Sequence, residues 1–159
     1  MSKMGFEPDK RLRKKYGNVP QDAIVDGKVV RFRSKLEKMW ANHLEFLKRA
    51  GEIIAWEYEC NCFEFDNIGV EKWLIDFTVL RSSDGFLEYH ECKGRVEKRD
   101  IDKLKLLSCE YPEAEVTYVF RYTPKLSVKK KNQLERYCKR IITNAGTMCK
   151  KEPVLFEGE

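Results

Sequence analysis

Three stretches rich in aromatic and β-branched residues, Ile53 to Phe65, Lys72 to Leu80 and Phe86 to Lys93, follow one another along the chain. Only the turn-forming runs Asp66-Asn67-Ile68-Gly69 and Ser82-Ser83-Asp84-Gly85 separate them. Side chains of these types suit a pleated, half-buried surface, and short Gly/Asp/Ser connections join strands that run antiparallel. The pattern predicts a three-stranded antiparallel meander at the centre of the fold, and everything else must pack around it.

Helical periodicity flanks the meander. From Ser34 to about Ala50, Leu36, Met39, Trp40, Leu44, Phe46 and Leu47 fall close to one face, and Gly51 supplies a stop. Ile101, Leu104, Leu107 and Tyr111 give Lys98 to Tyr111 the same period, ended by Pro112, and the run Glu115 to Tyr122 reads as a fourth strand. Leu134, Tyr137, Cys138, Ile141 and Ile142 predict a last helix from Ser127 to about Asn144, with Gly146 at its end. The first thirty residues mix Lys and Arg with turn formers such as Tyr16-Gly17-Asn18-Val19-Pro20 and Asp26-Gly27, which reads as an irregular arm with a hairpin. The expected class is therefore α/β, a central mixed sheet of the meander plus a further strand flanked by helices. A chain of 159 residues needs one domain, divided into a basic arm (1–33), a core (34–122) and a C-terminal basic helix and tail (123–159).

Charge is segregated along this layout. Residues 1–35 carry ten Lys/Arg against four Asp/Glu, and residues 121–151 carry ten against one, whereas residues 36–120 carry eleven against eighteen. Basic ends around an acidic middle suit a grip on a polyanion beside a cation-binding centre, although a run such as Lys129, Lys130 and Lys131 also reads as ordinary solvated surface. No apolar stretch is long enough to span a membrane, and the first fifteen residues lack the apolar run of a signal peptide, so the chain is expected in the cytoplasm with its six cysteines reduced. Cys60 and Cys62 have no second close pair to complete a zinc site.

Strand alternation assigns Trp73, Ile75, Phe77 and Val79 to one face and leaves Asp76 on the other with Leu74 and Thr78. A carboxylate in an apolar strand must be paired, bound to a cation or exposed at a cleft. Glu91 and Lys93, two apart, share a face of the next strand, while His90 and Cys92 point the other way. If the two strands are neighbours, Asp76 and Glu91 converge on one hard cation, Mg²⁺ or Mn²⁺, with the backbone carbonyl of Cys92 as a further oxygen ligand and the Lys93 ammonium beside it. Taken singly, Glu91 and Lys93 also read as an ordinary ion pair and Asp76 as a polar residue at a sheet rim. His43 and His90 read as structural, and Trp40, Trp56 and Trp73 as core, Trp56 nearer a rim.

The segments Arg33-Ser34-Lys35-Leu36-Glu37, Ile75-Asp76-Phe77 and Glu91-Cys92-Lys93-Gly94 together resemble the signature of the PD-(D/E)xK nuclease superfamily, over about Phe32 to Phe120. Within it, the likeness is to phage-encoded junction-resolving members of the endonuclease I type. The resemblance implies a restriction-endonuclease-like core, an active site of Glu37, Asp76, Glu91 and Lys93, and a Mg²⁺- or Mn²⁺-dependent endonuclease. It also implies Holliday junctions or other branched DNA as substrate, a role in DNA recombination, a homodimer, and a phage or prophage gene acting in the host cell. Ile75 departs from the family's usual proline, a position that shapes the strand and supplies no chemistry. Ser34-Lys35-Leu36-Glu37 also satisfies a capping box, and both roles hold if Ser34 caps the helix while Glu37 turns toward a metal.

Arg31, Arg33, Ser34, Lys35, Lys98, Arg99, Lys103, Lys129, Lys130 and Lys131 are the candidates for DNA backbone contacts. No helix presents an evident base-reading array, which favours cutting selected by DNA structure. Two other readings share parts of this evidence: a mismatch, repair or restriction-type nuclease with the same site, and a non-catalytic DNA-binding protein in which only the basic surface acts.

Overall fold

The computed structural model describes residues 19–149. The first eighteen residues of the basic arm and the tail beyond 149 lie outside the described residues.

The described residues open with a hairpin, β1 (Gln21–Val25) and β2 (Lys28–Phe32), turned at Asp26-Gly27 with φ of 49° and 76°. Positive φ at both positions is what a two-residue hairpin needs, so Asp-Gly suits it. α1 (Lys35–Arg49) follows, capped by Ser34, whose hydroxyl accepts the Glu37 N–H at 3.1 Å. Gly51, with φ of 78°, ends it. Next come β3 (Ile53–Tyr58), a second hairpin of β4 (Cys62–Glu64) and β5 (Lys72–Leu74), then β6 (Phe77–Arg81), β7 (Leu87–Lys93), α2 (Lys98–Glu110), β8 (Val116–Phe120), α3 (Val128–Tyr137), β9 (Arg140–Ile142) and the short α4 (Ala145–Met148).

The central sheet has the order β3-β6-β7-β8-β9. β3, β6 and β7 pair antiparallel, and β8 and β9 add on in parallel. This is the mixed sheet flanked by helices that the sequence pattern implies, with the meander at one side. One face carries α1 and the first hairpin over a core that includes Phe32, Trp40, Leu44, Phe77, Val79 and Val119. The other carries α2 and α3 over Trp73, Ile75, Ile101, Leu104, Tyr118, Phe120 and Leu134. Each large apolar side chain buried here contributes roughly 1.5–3 kcal/mol. Among the described residues, no helix is long and apolar enough to cross a membrane.

Three expectations need correction. Ile53 to Phe65 is not one strand, because the chain turns out of β3 at Glu59, which adopts a left-handed φ of 51°. Lys72 to Leu80 is not one strand either, and its alternation does not hold. Trp73 and Ile75 pack beneath α2, whereas Phe77 and Val79 pack beneath α1. The chain crosses from one layer to the other at Asp76, so two residues of like parity face opposite cores. The last helix stops at Tyr137, and residues 140–142 become edge strand β9 beside β8. Leu134, Tyr137, Cys138 and Ile141 fit helical spacing, but Ile141 and Ile142 pack into opposite cores, which is the period of a strand. Gly146 lies inside α4, not at a helix end.

Candidate metal centre

β6 and β7 pair from Leu80/Leu87 to Phe77/His90, after which β7 runs on to Lys93 along β8. Where the two strands part, Asp76 continues the ladder with its side chain. Its Oδ2 accepts the Cys92 N–H at 2.8 Å, and its own N–H donates to Glu91 Oε2 at 3.2 Å. The crossing between layers therefore fixes the carboxylate against the end of β7, and it is only 2% exposed.

Further acids arrive from two directions. Glu37, in the first turn of α1, is buried, and its Oε2 accepts the Arg33 N–H at 3.2 Å and the hydroxyl of Tyr58. Ser34 thus caps the helix, while Glu37 takes the N–H of Arg33 and not that of Ser34, so the capping box is only half formed and the carboxylate lies beside Asp76 and Glu59. Glu59 enters because its left-handed turn lets its N–H donate to the Asp76 carbonyl at 2.8 Å. A non-glycine residue in that conformation is held at some cost, which the surrounding contacts must offset. One carboxylate oxygen from each of Glu37, Glu59 and Asp76 lies within 4.8 Å of the others. Glu91, expected to converge with Asp76 on one cation, is not part of this cluster: its Oε2 accepts the Asp76 N–H, its Oε1 lies 3.4 Å from Lys93 Nζ, and Lys93 is also 3.2 Å from Asp100 Oδ1 in α2.

Arg33 lies across the acids. Its Nη2 is 2.7 Å from Asp76 Oδ1 and its Nε is 2.8 Å from Glu59 Oε1 and 3.9 Å from Glu37 Oε2. This one guanidinium does not balance the cluster. Burial, followed by the Glu91 and Glu37 charges, pushes the Asp76 carboxyl well above its usual range, against the opposing pull of Cys92 and Arg33. Burial likewise raises Glu91, with Lys93 opposing. For Lys93, burial disfavours the charge, but Glu91 and Asp100 outweigh it and hold the ammonium above its ordinary value. Lys103 moves the other way, lowered by burial and by the nearby Lys93.

All four expected residues, Glu37, Asp76, Glu91 and Lys93, line one cleft of about 440 Å³, together with Arg33, Ser34, Lys35, Cys92, Lys103, Arg121 and Tyr122. Cys92 commits its N–H to Asp76 and points its thiol into the opposite core. Oxygen donors at these separations suit a hard divalent cation, whose ligands at about 2.0–2.1 Å lie up to ~4.2 Å apart across the ion. The three clustered carboxylates fit such an ion with only small side-chain adjustment, and they lack the countercharge it would bring.

The remaining basic candidates divide. Arg31, Lys35, Lys98, Arg99, Lys129 and Lys131 are exposed. Lys103 lies over the Trp73 ring, 5.6 Å from its centre, and Lys130 donates to the Val96 carbonyl at 3.1 Å, so both are engaged within the fold. Arg33 serves the acidic cluster and Ser34 the helix. His90 faces α1, away from Glu91, and its Nδ1 accepts the Trp40 indole N–H at 3.0 Å. Trp40 and Trp73 are core, and Trp56 is half-buried with its N–H on Glu45. All six cysteines are free thiols.

The sequence reading missed Tyr58, Glu59 and Asp100. Asp100 carried a signal, since Glu97-x-x-Asp100 is an acidic capping pair at the start of α2, and its Oδ2 accepts the Glu97 N–H at 2.8 Å. Nothing local marks Glu59, because its place depends on a turn that alternation would not predict. No protein-family model matches this chain, and no curated protein matches it at a significant level.

Proposed function

We propose that the protein is a divalent-metal-dependent endonuclease that hydrolyses DNA phosphodiester bonds, with Holliday junctions and other branched DNA as its substrates. The observation that carries this reading is the single cleft lined by Glu37, Asp76, Glu91 and Lys93, with the carboxylates of Glu37, Glu59 and Asp76 gathered around the one guanidinium of Arg33.

A bound Mg²⁺ or Mn²⁺ would neutralise charge on the phosphate and lower the pKa of a coordinated water. Asp76, Glu37 and Glu59 are the residues that would hold it, with the Cys92 carbonyl a further candidate ligand. Glu91 fixes the Asp76 backbone and tethers Lys93. Because two carboxylates hold Lys93 protonated, its role is to offer positive charge to the phosphate as negative charge develops there, not to abstract a proton. Lys35 and Arg121 at the cleft wall, and Arg31, Lys98, Arg99, Lys129 and Lys131 on exposed surface, are suited to backbone phosphates. Paired cuts at a junction call for two equivalent sites, so a homodimer belongs to this reading, as do a cytoplasmic site of action and a phage or prophage origin.

The test is a cleavage panel of four-way junction, flap, mismatch, linear duplex and single-stranded DNA with Mg²⁺, Mn²⁺ or EDTA. Symmetric metal-dependent nicks near the branch point, lost by a factor of ~10³ in Lys93→Ala, are expected. Equal cutting of linear duplex would move the assignment to a repair or restriction-type nuclease. Salt-sensitive binding without cleavage would leave a non-catalytic DNA-binding protein.

A further inference from the structure

Arg33 combines two properties that seldom occur together. Its guanidinium bridges Asp76 at 2.7 Å and Glu59 at 2.8 Å, with Glu37 3.9 Å away, so it contacts every member of the carboxylate cluster. Yet its side chain is 58% exposed, while the Asp76 and Glu37 side chains are only 2% and 8% exposed. A planar fork that can pair with two carboxylates at once is a good stand-in for a doubly charged ion, and this one has an open path to solvent.

We propose that Arg33 is a resident counter-cation, occupying the place of the metal in the metal-free protein and leaving it when the metal binds. The inference rests on the metal-dependent reading above. The carboxylates cannot both surround a divalent ion and keep a guanidinium between them, because a second cation there would repel the first and fill its ligand positions. The backbone of Arg33 need not move, since its N–H stays on Glu37 and the next residue is the cap of α1. Only the exposed side chain has to swing toward the cleft mouth. Metal affinity is then set by a competition inside the protein, in which the ion must displace an intramolecular partner before it can bind.

This gives Arg33 an effect opposite in sign to that of a ligand. Mn²⁺ affinity, measured by calorimetry and by the electron paramagnetic resonance of the free ion, is compared for wild type, Arg33→Ala and Asp76→Asn at a single ionic strength, without DNA. Arg33→Ala is expected to bind Mn²⁺ about tenfold more tightly than wild type, a change of ~1.4 kcal/mol. Metal-free Arg33→Ala should unfold at a lower temperature, and saturating Mn²⁺ should raise its Tm by more than it raises that of wild type. If wild type binds Mn²⁺ and Arg33→Ala binds it equally or more weakly, the counter-cation role is overturned and the metal site survives. If wild type and Arg33→Ala bind no better than Asp76→Asn, the metal reading falls and this inference with it. Should Arg33→Ala not fold without metal, Arg33→Lys serves the same comparison. A point charge cannot bridge both carboxylates, so Mn²⁺ should again bind several-fold tighter, and unchanged affinity would overturn the role.

Discussion

β7 carries two buried acidic side chains, Glu88 near its start and Glu91 near its end, and their surroundings differ. On the α1 face, Glu88 Oε1 accepts from the Thr117 hydroxyl and from Arg140 Nη2 at 3.0 Å and lies 3.2 Å from His90 Nε2, while Oε2 is 3.6 Å from Arg81. Burial alone would raise this carboxyl, but His90, Thr117 and Arg140 outweigh it and hold it well below the usual carboxylate range. At the other end of β7, burial lifts Glu91 despite Lys93 beside it, and its neighbour Asp76, which shares Arg33 with Glu37 and Glu59, shifts upward too. Two acidic groups, both almost fully enclosed, thus respond in opposite directions. A buried carboxylate whose countercharges are supplied by the fold has no chemistry left to do. One whose countercharge is missing is fit to receive a cation, which is how strained electrostatics mark a functional site.

The largest test of this contrast is a pair of substitutions. Asp76→Asn should lower metal-dependent cleavage by roughly 10³-fold, as removal of a central electrostatic group does, while leaving the protein folded. Glu88→Ala should do the reverse. It strips the Thr117 hydroxyl and the Arg140 charge of their acceptor and should cost about 2–4 kcal/mol of unfolding free energy by urea titration, with the cleavage rate unchanged below the melting range. Loss of cleavage in Glu88→Ala under conditions where circular dichroism shows it folded would break the division between the two clusters.

Asp100 sharpens the comparison at the Glu91 end of β7. It contacts no proposed metal ligand, but it is the second carboxylate on Lys93, at 3.2 Å, while its other oxygen caps α2. Asp100→Asn keeps the cap's acceptor and removes the charge that helps hold the ammonium in place. Cleavage should fall about tenfold in kcat with KM for DNA unchanged, the signature of an interaction realised in the transition state. A rise in KM alone would place Lys93, and Asp100 behind it, in substrate binding only.

How far the sequence anticipates all this depends on whether each feature is local. α1 is legible because its cap, periodicity and Gly51 stop lie within eighteen residues of one another. Glu91 and Lys93 share a face because a strand has period two and β7 is regular. Asp76 is legible as a misplaced carboxylate, but its setting is not. Alternation puts Trp73 and Phe77 together, and the crossing between layers at Asp76 separates them. Cys138 to Ile142 mimics a helix because Cys138 and Ile141 continue the helical spacing of Leu134 and Tyr137, and the open edge of β8 decides for the strand. Glu59 and the bridging Arg33 depend on a left-handed turn and on contacts over long sequence separations, which no pattern in one segment encodes. Nor could charge counting separate Lys130, tied to the Val96 carbonyl, from its exposed neighbours Lys129 and Lys131.

The smallest expected effect is the most direct reading of the imbalance itself. Because the folded protein holds the Asp76 carboxyl above its ordinary value of 3.8, ionising that group costs stability. Below that value the group is protonated both folded and unfolded, and no penalty arises. As pH rises, the unfolded chain ionises first and gains on the folded state, and the full penalty is reached once pH exceeds the folded pKa. Asp76→Asn removes it, so the metal-free variant should be more stable than metal-free wild type at neutral pH, read as a higher Tm. That gain should shrink as pH is lowered and vanish below pH 3.8. Adding Mn²⁺ should reverse the ranking, since only wild type binds the ion and is stabilised by it. A variant less stable than wild type at neutral pH would show that Arg33 already balances the cluster, and Asp76 would then belong with Glu88 among the satisfied structural acids.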